Sequence, residues 1–418
     1  MLRRSHMGQF EAKFTAKPLP IATQTWGGYG QQLYSGKHYK KSPSAFRSAA
    51  GLNPRNGSQH EELGNCLLRD GQALEAERAL RTAWDQGRRS LALCVQLAGL
   101  GCKRNDFSEA EKWARLAVET APTSGIARMW LGWALAHQAK PSDWDTHFKK
   151  ALELDPDHPT ILTTFGSALQ LAGRFDEAIQ MFQNSIAREP RQSTPYLGLF
   201  NSGTVTDSLR PHVDQAEALL QTGAPPPEDS LRLHFAVAKA NDDLREYDKA
   251  MQHFDEAHRI SSRLLAHTPF DRRWYRSAID DVIRTCNADL LRAADEIGNP
   301  TEQPIFILGV MRSGTTLVEQ IVSSHSEVDG VGEEGFFHDG PVRSNSLRGF
   351  SPTVLKVAAD RYLDKLNRLA PGAAKITDKM PANYLSAGFI HAAFPKAKII
   401  LVRRDPCSTC LSIWTTAN

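Results

Sequence analysis

The sequence predicts a multidomain protein, an all-α repeat solenoid followed by an α/β domain with parallel strands. Three observations carry this. From Gly57 onward the chain is self-similar at a period of 34 residues. The stretch FILGVMRSGTTLVEQI, Phe306 to Ile321, reads as a strand, a glycine-bounded loop and the first turns of a helix. A second apolar run, in AKIILVRRDP, reads as another buried strand closed by a turn at Pro406. At 418 residues and 41% hydrophobic content, the chain has room for two or three domains with buried cores.

Bulk charge excludes little and attracts little. With 50 basic against 47 acidic side chains and a net charge of +3, nothing draws a nucleic acid by overall electrostatics, so no nucleic-acid partner is expected. Six cysteines in a chain of this length form no dense disulfide framework, which points to a reducing, cytoplasmic setting. No window supplies the ~20 apolar residues of a membrane span.

Residues 1–50 hold eight Lys or Arg against the single acid Glu11, with Pro, Gly, Gln and Ser interspersed, and read as a disordered basic arm. Asn56-Gly57-Ser58 fits a glycosylation sequon and is set aside, because no secretory signal precedes it.

The repeat begins here. With unit starts at Gly57, Leu91, Gly125 and Pro159, the eighth position is small each time: Gly64, Ala98, Gly132 and Gly166. A large apolar residue precedes it in every unit, namely Leu63, Leu97, Leu131 and Phe165. Position 20 carries Ala76, Ala110 and Ala178, with Trp144 in the third unit; position 27 carries Ala83, Ala117, Ala151 and Ser185. Pro122, Pro156 and Pro190 fall at position 32, where a helix must stop. Small residues at positions 8 and 20 let two antiparallel helices approach closely, while large ones such as Phe148 and Phe182 at position 24 fill the seam. The pattern resembles the tetratricopeptide repeat over Gly57 to Pro190. A looser stretch with Gly-Ala-Pro-Pro-Pro at Gly223 to Pro227 follows, and then one more unit around Leu231 to Ser262, with Ala250, Phe254 and Ala257 in register. The resemblance implies a groove for a peptide or partner protein. The array is expected over 51–264, a closing helix and linker over 265–300 that ends at Gly298-Asn299-Pro300, and the α/β part over 301–418.

Pro304 to Val310 is short and rich in Ile, Leu and Phe, as for a buried parallel strand; Thr315 to Ser324 has helical spacing, with Leu317, Ile321 and Val322 on one side. Gly309 and Gly314 bracket four residues, the separation found in the phosphate loop G-x-x-x-x-G-K-[ST]. Such a loop curls so that successive N–H groups point at one anion, with a helix N-terminus behind it. Thr315 stands where that motif has lysine, and Arg312 inside the loop supplies the charge instead.

Arg-Ser-Gly-Thr-Thr-Leu after a strand resembles the phosphosulfate-binding loop of the sulfotransferases, a P-loop-like family that takes a sulfuryl group from 3′-phosphoadenosine 5′-phosphosulfate (PAPS). The resemblance implies a three-layer parallel sheet, of which this sequence holds the first half as a partial domain, and implies that Arg312, Ser313, Gly314, Thr315 and Thr316 cradle the 5′-phosphosulfate. Arg404 at the end of the second strand and Ser412, eight residues on, have the separation of the family's 3′-phosphate pair. Gly332-Glu333-Glu334 occupies the place of the glutamate base in the tyrosylprotein sulfotransferases, with Glu333 21 residues beyond Arg312 and Glu334 the alternative. Lys379, in DKMPANY, matches the lysine that serves the leaving group together with Arg312. No metal is implied.

Cys407 and Cys410 have C-x-x-C spacing without a second pair, and His325, His338 and His391 lack ligand spacing, so neither set is read as a metal or redox centre. Two features depart from the family pattern. Met311 replaces the usual proline before the arginine, and the sulfotransferase-like part holds only about 118 residues, so the sequence reads as a fragment of a longer protein. The resulting expectation is sulfuryl transfer from PAPS to an acceptor hydroxyl, on protein tyrosine, a glycan or a small alcohol. The rivals are a non-catalytic repeat scaffold carrying an incomplete domain, and a kinase-like phosphotransferase using an atypical loop, which is disfavoured because no aspartate is placed to hold magnesium at the end of the second strand, although Asp405 is close.

Overall fold

The computed structural model describes residues 19–35, 42–138, 143–222, 225–267, 270–339 and 352–416. The chain divides into two compact units, Met1–Arg245 and Glu246–Asn418.

The first unit is helical throughout its described residues: α1 (Leu19–Ser35), α2 (Ser42–Leu52), α3 (Gly57–Arg69), α4 (Ala73–Asp85), α5 (Leu91–Lys103), α6 (Phe107–Thr120), α7 (Gly125–Ala136), α8 (Trp144–Leu154), α9 (Pro159–Leu171), α10 (Phe175–Arg188), α11 (Thr194–Asn201), α12 (Arg210–Thr222) and α13 (Pro227–Asp243). From α3 to α10 the helices form antiparallel pairs, one per repeat.

The pairs close where the small residues are. A Cβ on Gly132 would lie 2.8 Å from Phe148, one on Gly166 2.8 Å from Phe182, and one on Gly64 2.6 Å from Leu80. Position 8 therefore meets position 24 in the first, third and fourth units. The second unit satisfies the same space differently, with Ala98 and Ala114 together in one cluster. Ala76, Ala110, Ala178, Ala83, Ala117, Ala151 and Ser185 are fully buried. Burying each of Phe148 and Phe182 contributes about 1.5–3 kcal/mol. Helix starts are capped by side chains that satisfy orphan amides: Ser90 accepts from Leu93 N at 3.1 Å and Ser124 from Ala127 N at 3.2 Å. Asn56, the residue of the apparent sequon, does the same for α3, accepting from Ser58 N at 3.1 Å.

The N-terminal region differs from the disordered arm expected over 1–50. Residues 1–18 and 36–41 lie outside the described residues, but 19–35 and 42–52 are helices. Ala45, Phe46, Ala49 and Ala50 are buried, and Phe46 packs with Leu63, Cys66 and Leu67 of the first repeat. Gly30 lies so close to Phe46 that a Cβ would sit 2.8 Å from its ring. Helical spacing of Ala45, Phe46, Ala49 and Ala50 is present in the sequence, masked by Pro43, which the first turn tolerates.

The second unit contains α14 (Tyr247–Leu264), α15 (Arg272–Thr285), α16 (Ala288–Ile297), β1 (Pro304–Gly309), α17 (Thr315–Ser323), β2 (Val328–Gly330), α18 (Phe336–Asp339), α19 (Pro352–Leu369), β3 (Lys375–Lys379), α20 (Ala387–Ala393), β4 (Lys398–Val402) and α21 (Pro406–Trp414). Ala250, Phe254 and Ala257 on α14 are buried. The strands form one parallel sheet in the order β2-β3-β1-β4. Helices cover both faces, which is the three-layer arrangement. Phe306 and Ile376 face a core with Tyr362 and Leu366 of α19 and Ile390 and Ala393 of α20. Thr377 faces α17, where its hydroxyl lies 3.5 Å from Glu319.

One helix face in this unit is turned against its apolar pattern, and one expectation about a strand is corrected. Helix α17 buries Thr315 and Glu319 while Leu317 is 66% exposed and Ile321 is also exposed. Its inward face is thus the polar one, because it packs beside Thr377 and the segment after β2. Strand β4 is an edge strand rather than a buried one, and Leu401 is 58% exposed. No described strand pairs with its outer side.

Candidate functional site

A cleft of about 510 Å³ opens at the C-terminal ends of β1, β3 and β4, lined by Met311, Arg312, Gly314, Thr315, Thr316, Glu333, Met380, Pro381, Ala382, Arg404 and Ser412. Ligands of open parallel sheets bind at this end of the strands.

The loop after β1 is shaped by two left-handed residues. Arg312 has φ 65 and Gly314 φ 103. Only glycine adopts the second without strain, and the first is uncommon for any side-chain-bearing residue. Left-handed residues at alternate positions turn successive N–H groups to one side, making a concavity that takes an anion. Gly309 is required for a different reason: a Cβ there would lie 2.5 Å from the Val402 carbonyl, so glycine is what lets β1 and β4 end side by side. Ser313 is buried, and its Oγ has no hydrogen-bond partner among the described residues. Helix α17 starts at Thr315 and directs its N-terminus to the loop.

Two residues from the far edge of the sheet join the loop. Arg312 Nε donates to Ser412 Oγ at 3.1 Å, and Arg404 Nη1 donates to the Arg312 carbonyl at 3.3 Å. Asp405 is engaged as the cap of α21, accepting from Ser408 N at 2.8 Å, and that bond holds its carboxyl below the ordinary range. Cys407 and Cys410 on the same helix are exposed and free.

On the other side of the cleft, Lys379 Nζ donates to Glu333 Oε1 at 2.5 Å. The pair is lopsided: the Lys379 side chain is 8% exposed and that of Glu333 53%. Glu334 turns elsewhere. It is ion-paired with Lys365, and it does not line the cleft. The structure therefore brings Arg312, Gly314, Thr315, Thr316, Glu333, Arg404 and Ser412 to one cleft, places Ser313 just beneath it and Lys379 against Glu333, and leaves Glu334 aside.

Sequence reasoning missed the supports of this site. Glu319 is buried with its carboxyl pushed up by desolvation, offset by Lys379 and by the Gly332 amide. Asp378 is fully buried, and burial raises its carboxyl to about 7. Tyr362 donates its hydroxyl to Asp378 Oδ2 at 2.5 Å. A charged residue inside an otherwise apolar helix, as Glu319 stands in Thr-Thr-Leu-Val-Glu-Gln-Ile-Val, was the available signal.

Residues 304–418 match the family model described as the Sulfotransferase family. An uncharacterized protein of Aquifex aeolicus is 27% identical over 279 residues, covering 63% of this chain and 36% of that protein. The nodulation protein NoeE of Sinorhizobium fredii is 27% identical over 134 residues, covering 27% of this chain and 31% of NoeE. The chain thus spans about a third of the length of the curated relatives it matches. Among solved structures, YrrB, titled a TPR protein with an unusual peptide-binding site, is similar at 19% identity and a TM-score of 0.35, over 42% of this chain and 94% of YrrB. A tetratricopeptide repeat protein from Parabacteroides merdae gives 16% identity and a TM-score of 0.43, over 57% of this chain and 93% of that one. A solenoid of paired helices thus precedes a segment that matches the Sulfotransferase family model in this sequence.

Proposed function

We propose that this chain carries the donor-binding centre of a PAPS-dependent sulfotransferase, which moves a sulfuryl group to an acceptor hydroxyl without a metal. One observation carries the reading: Arg312, from the loop after β1, and Arg404 and Ser412, which follow β4, converge on a single cleft, joined by hydrogen bonds of 3.1 and 3.3 Å. The residues present fit a ligand with two separated anionic groups. Gly314, Thr315 and Thr316, with the N-terminus of α17, suit the 5′-phosphosulfate, and the orphaned Ser313 Oγ is a further polar atom beneath the loop. Arg404 and Ser412 suit the 3′-phosphate, for which an arginine offers paired donors.

When bound, PAPS supplies an activated sulfuryl group with a phosphate leaving group. The chain's own residues do the rest by position and electrostatics, as in phosphoryl transfer. Glu333 faces the cleft and is the base that takes the acceptor's proton at its carboxylate. Lys379 and Arg312 supply positive charge where negative charge develops on the leaving oxygen. Glu334 is tied to Lys365, which favours Glu333 for the base.

The acceptor is read as a protein tyrosine or a glycan, and the helical repeats as the recruiter of a protein or peptide partner. No described helix is long and apolar enough to cross a membrane. All six cysteines are free, which supports a cytoplasmic setting.

The test is a thermal shift with 3′,5′-ADP, the desulfated product, against ATP with magnesium. A ligand that binds only the folded form raises the melting temperature with its occupancy. The reading requires a shift with 3′,5′-ADP and none with ATP and magnesium; the reverse pattern, or no shift with either, removes it.

A further inference from the structure

We propose that Glu319 and Asp378 are positioning residues, two buried carboxylates that grip the backbone amides on either side of Glu333 and so fix its carboxylate against Lys379. This rests on the reading of Glu333 as the base.

The geometry is specific. Gly332 N donates to Glu319 Oε1 at 3.2 Å, and Glu334 N donates to Asp378 Oδ1 at 3.4 Å. Glu333 lies between these two bonds. The carboxylates approach from opposite sides, because β3 alternates: Thr377 faces Glu319 on α17, whereas Asp378 faces Tyr362 on α19. The backbone of β3 supplies the middle of the grip, with Val331 N donating to Thr377 O at 3.0 Å and Lys379 N to Gly332 O at 2.8 Å. Gly332 at φ 74 turns the chain so that its amide serves Glu319 while its carbonyl serves Lys379. The segment that carries the base and the strand that carries the lysine are thus bonded together on both sides of the ion pair.

Neither carboxylate lines the cleft, so neither touches a ligand there. Glu319 is 5% exposed and Asp378 is fully buried. Burying a carboxylate is costly unless it is hydrogen-bonded, and an apolar residue would avoid that cost if the site needed only filling. Holding the amides flanking Glu333 is what these two acids do here that an apolar residue would not.

The test is amide hydrogen exchange of the full chain, resolved to single residues, in Glu319→Gln, Glu319→Ala and Asp378→Asn. Gln keeps an oxygen acceptor and Ala does not; Glu319→Met, which fills the volume without an acceptor, replaces the Ala variant where that fails to fold. Exchange at Gly332 is expected to rise at least about tenfold in the Ala or Met variant, return to within about threefold in Gln, and change less than about twofold at Phe306 and Ile307, a tenfold change corresponding to about 1.4 kcal/mol. Exchange at Glu334 in Asp378→Asn should stay near the wild-type rate, since Asn retains an acceptor. The Lys379 amine should acetylate faster in the Ala or Met variant and at the wild-type rate in Gln. Unchanged exchange at Gly332, a uniform rise across the sheet, or Gln behaving like Ala would overturn the proposal. Binding of 3′,5′-ADP by the wild type reports separately on the functional reading, and its absence leaves the exchange pattern as it stands.

Discussion

Arg312 Nε donates to Ser412 Oγ across 3.1 Å, tying the loop after β1 to the helix after β4. Through that bond the two halves of the proposed anion site share one residue. Arg312 is also the non-glycine residue in the loop with left-handed backbone, at φ 65. Strain of this kind costs about 1–2 kcal/mol and is kept where function needs the side chain. Arg312→Gly is therefore expected to leave the melting temperature unchanged or raised while abolishing the shift with 3′,5′-ADP. A variant that loses stability and keeps the nucleotide shift would show the strain to be structural.

The Lys379–Glu333 pair predicts an asymmetry. Removing Glu333, whose side chain is half exposed, leaves the buried Lys379 ammonium short of its partner; removing Lys379 leaves a carboxylate that water can reach. Glu333→Ala should melt several degrees below Lys379→Met, measured in the same buffer. Equal melting temperatures would mean that the buried lysine is satisfied elsewhere, with Glu319, whose carboxyl Lys379 already lowers, a candidate.

Asp378 predicts a pH dependence. Its folded carboxyl titrates at about 7 against an ordinary value of 3.8, so between those values the folded state holds more protons than the unfolded one. Stability from this group therefore falls as pH rises from about 4 to about 7 and is flat above, each pKa unit being worth about 1.4 kcal/mol. The groups facing it are Tyr362, Glu334 and Glu319, and the carboxylates among them add to the rise. Asp378→Asn should flatten that limb and exceed the wild type in stability at pH 8, as read from urea midpoints at several pH values. A mutant that tracks the wild-type curve would show that Asp378 is ionised throughout.

In the solenoid, Gly166 and Phe182 form a size-matched pair, with 2.8 Å between the ring and any added Cβ. Gly166→Ala should cost about 1–3 kcal/mol by overpacking. Phe182→Ala alone should cost about 3–5 kcal/mol, and in its background, where it reproduces the Ala98 and Ala114 pairing of the second repeat, Gly166→Ala should cost little. Denaturant midpoints of the two single variants and the double variant give the coupling, expected at about 1 kcal/mol or more; strict additivity would separate the two positions.

Much of this molecule is legible in its sequence for a physical reason. The repeat advertises itself because packing two helices demands small residues at fixed positions, and Gly64, Gly132 and Gly166 sit opposite Leu80, Phe148 and Phe182. The loop is legible because left-handed backbone at Gly314 and the close approach at Gly309 demand glycine. What stayed hidden depends on which way a face turns. Leu317 and Ile321 look like the core side of α17, yet Thr315 and Glu319 are the buried ones, because the neighbouring strand offers Thr377 and the segment after β2 offers the Gly332 amide. Adjacent Glu333 and Glu334 are told apart on paper only by a spacing from Arg312. They separate in the fold, where β3 and α19 place Lys379 by the first and Lys365 by the second. Helix α2 was obscured by Pro43, and its role as a cover for the first repeat is visible only when Phe46 is seen against Leu67.

The most direct test of the central claim compares the affinity of the wild-type chain and of Arg404→Ala for 3′,5′-ADP and for 5′-AMP, by titration calorimetry. A charge-assisted contact to the 3′-phosphate is worth about 1.5–3 kcal/mol, so the wild type should prefer 3′,5′-ADP by about 10- to 100-fold. In Arg404→Ala that preference should fall below about threefold while 5′-AMP binds as before. A wild type that binds the two nucleotides equally, or a variant that keeps the preference, would contradict the assignment of this cleft to a 3′-phosphorylated sulfuryl donor.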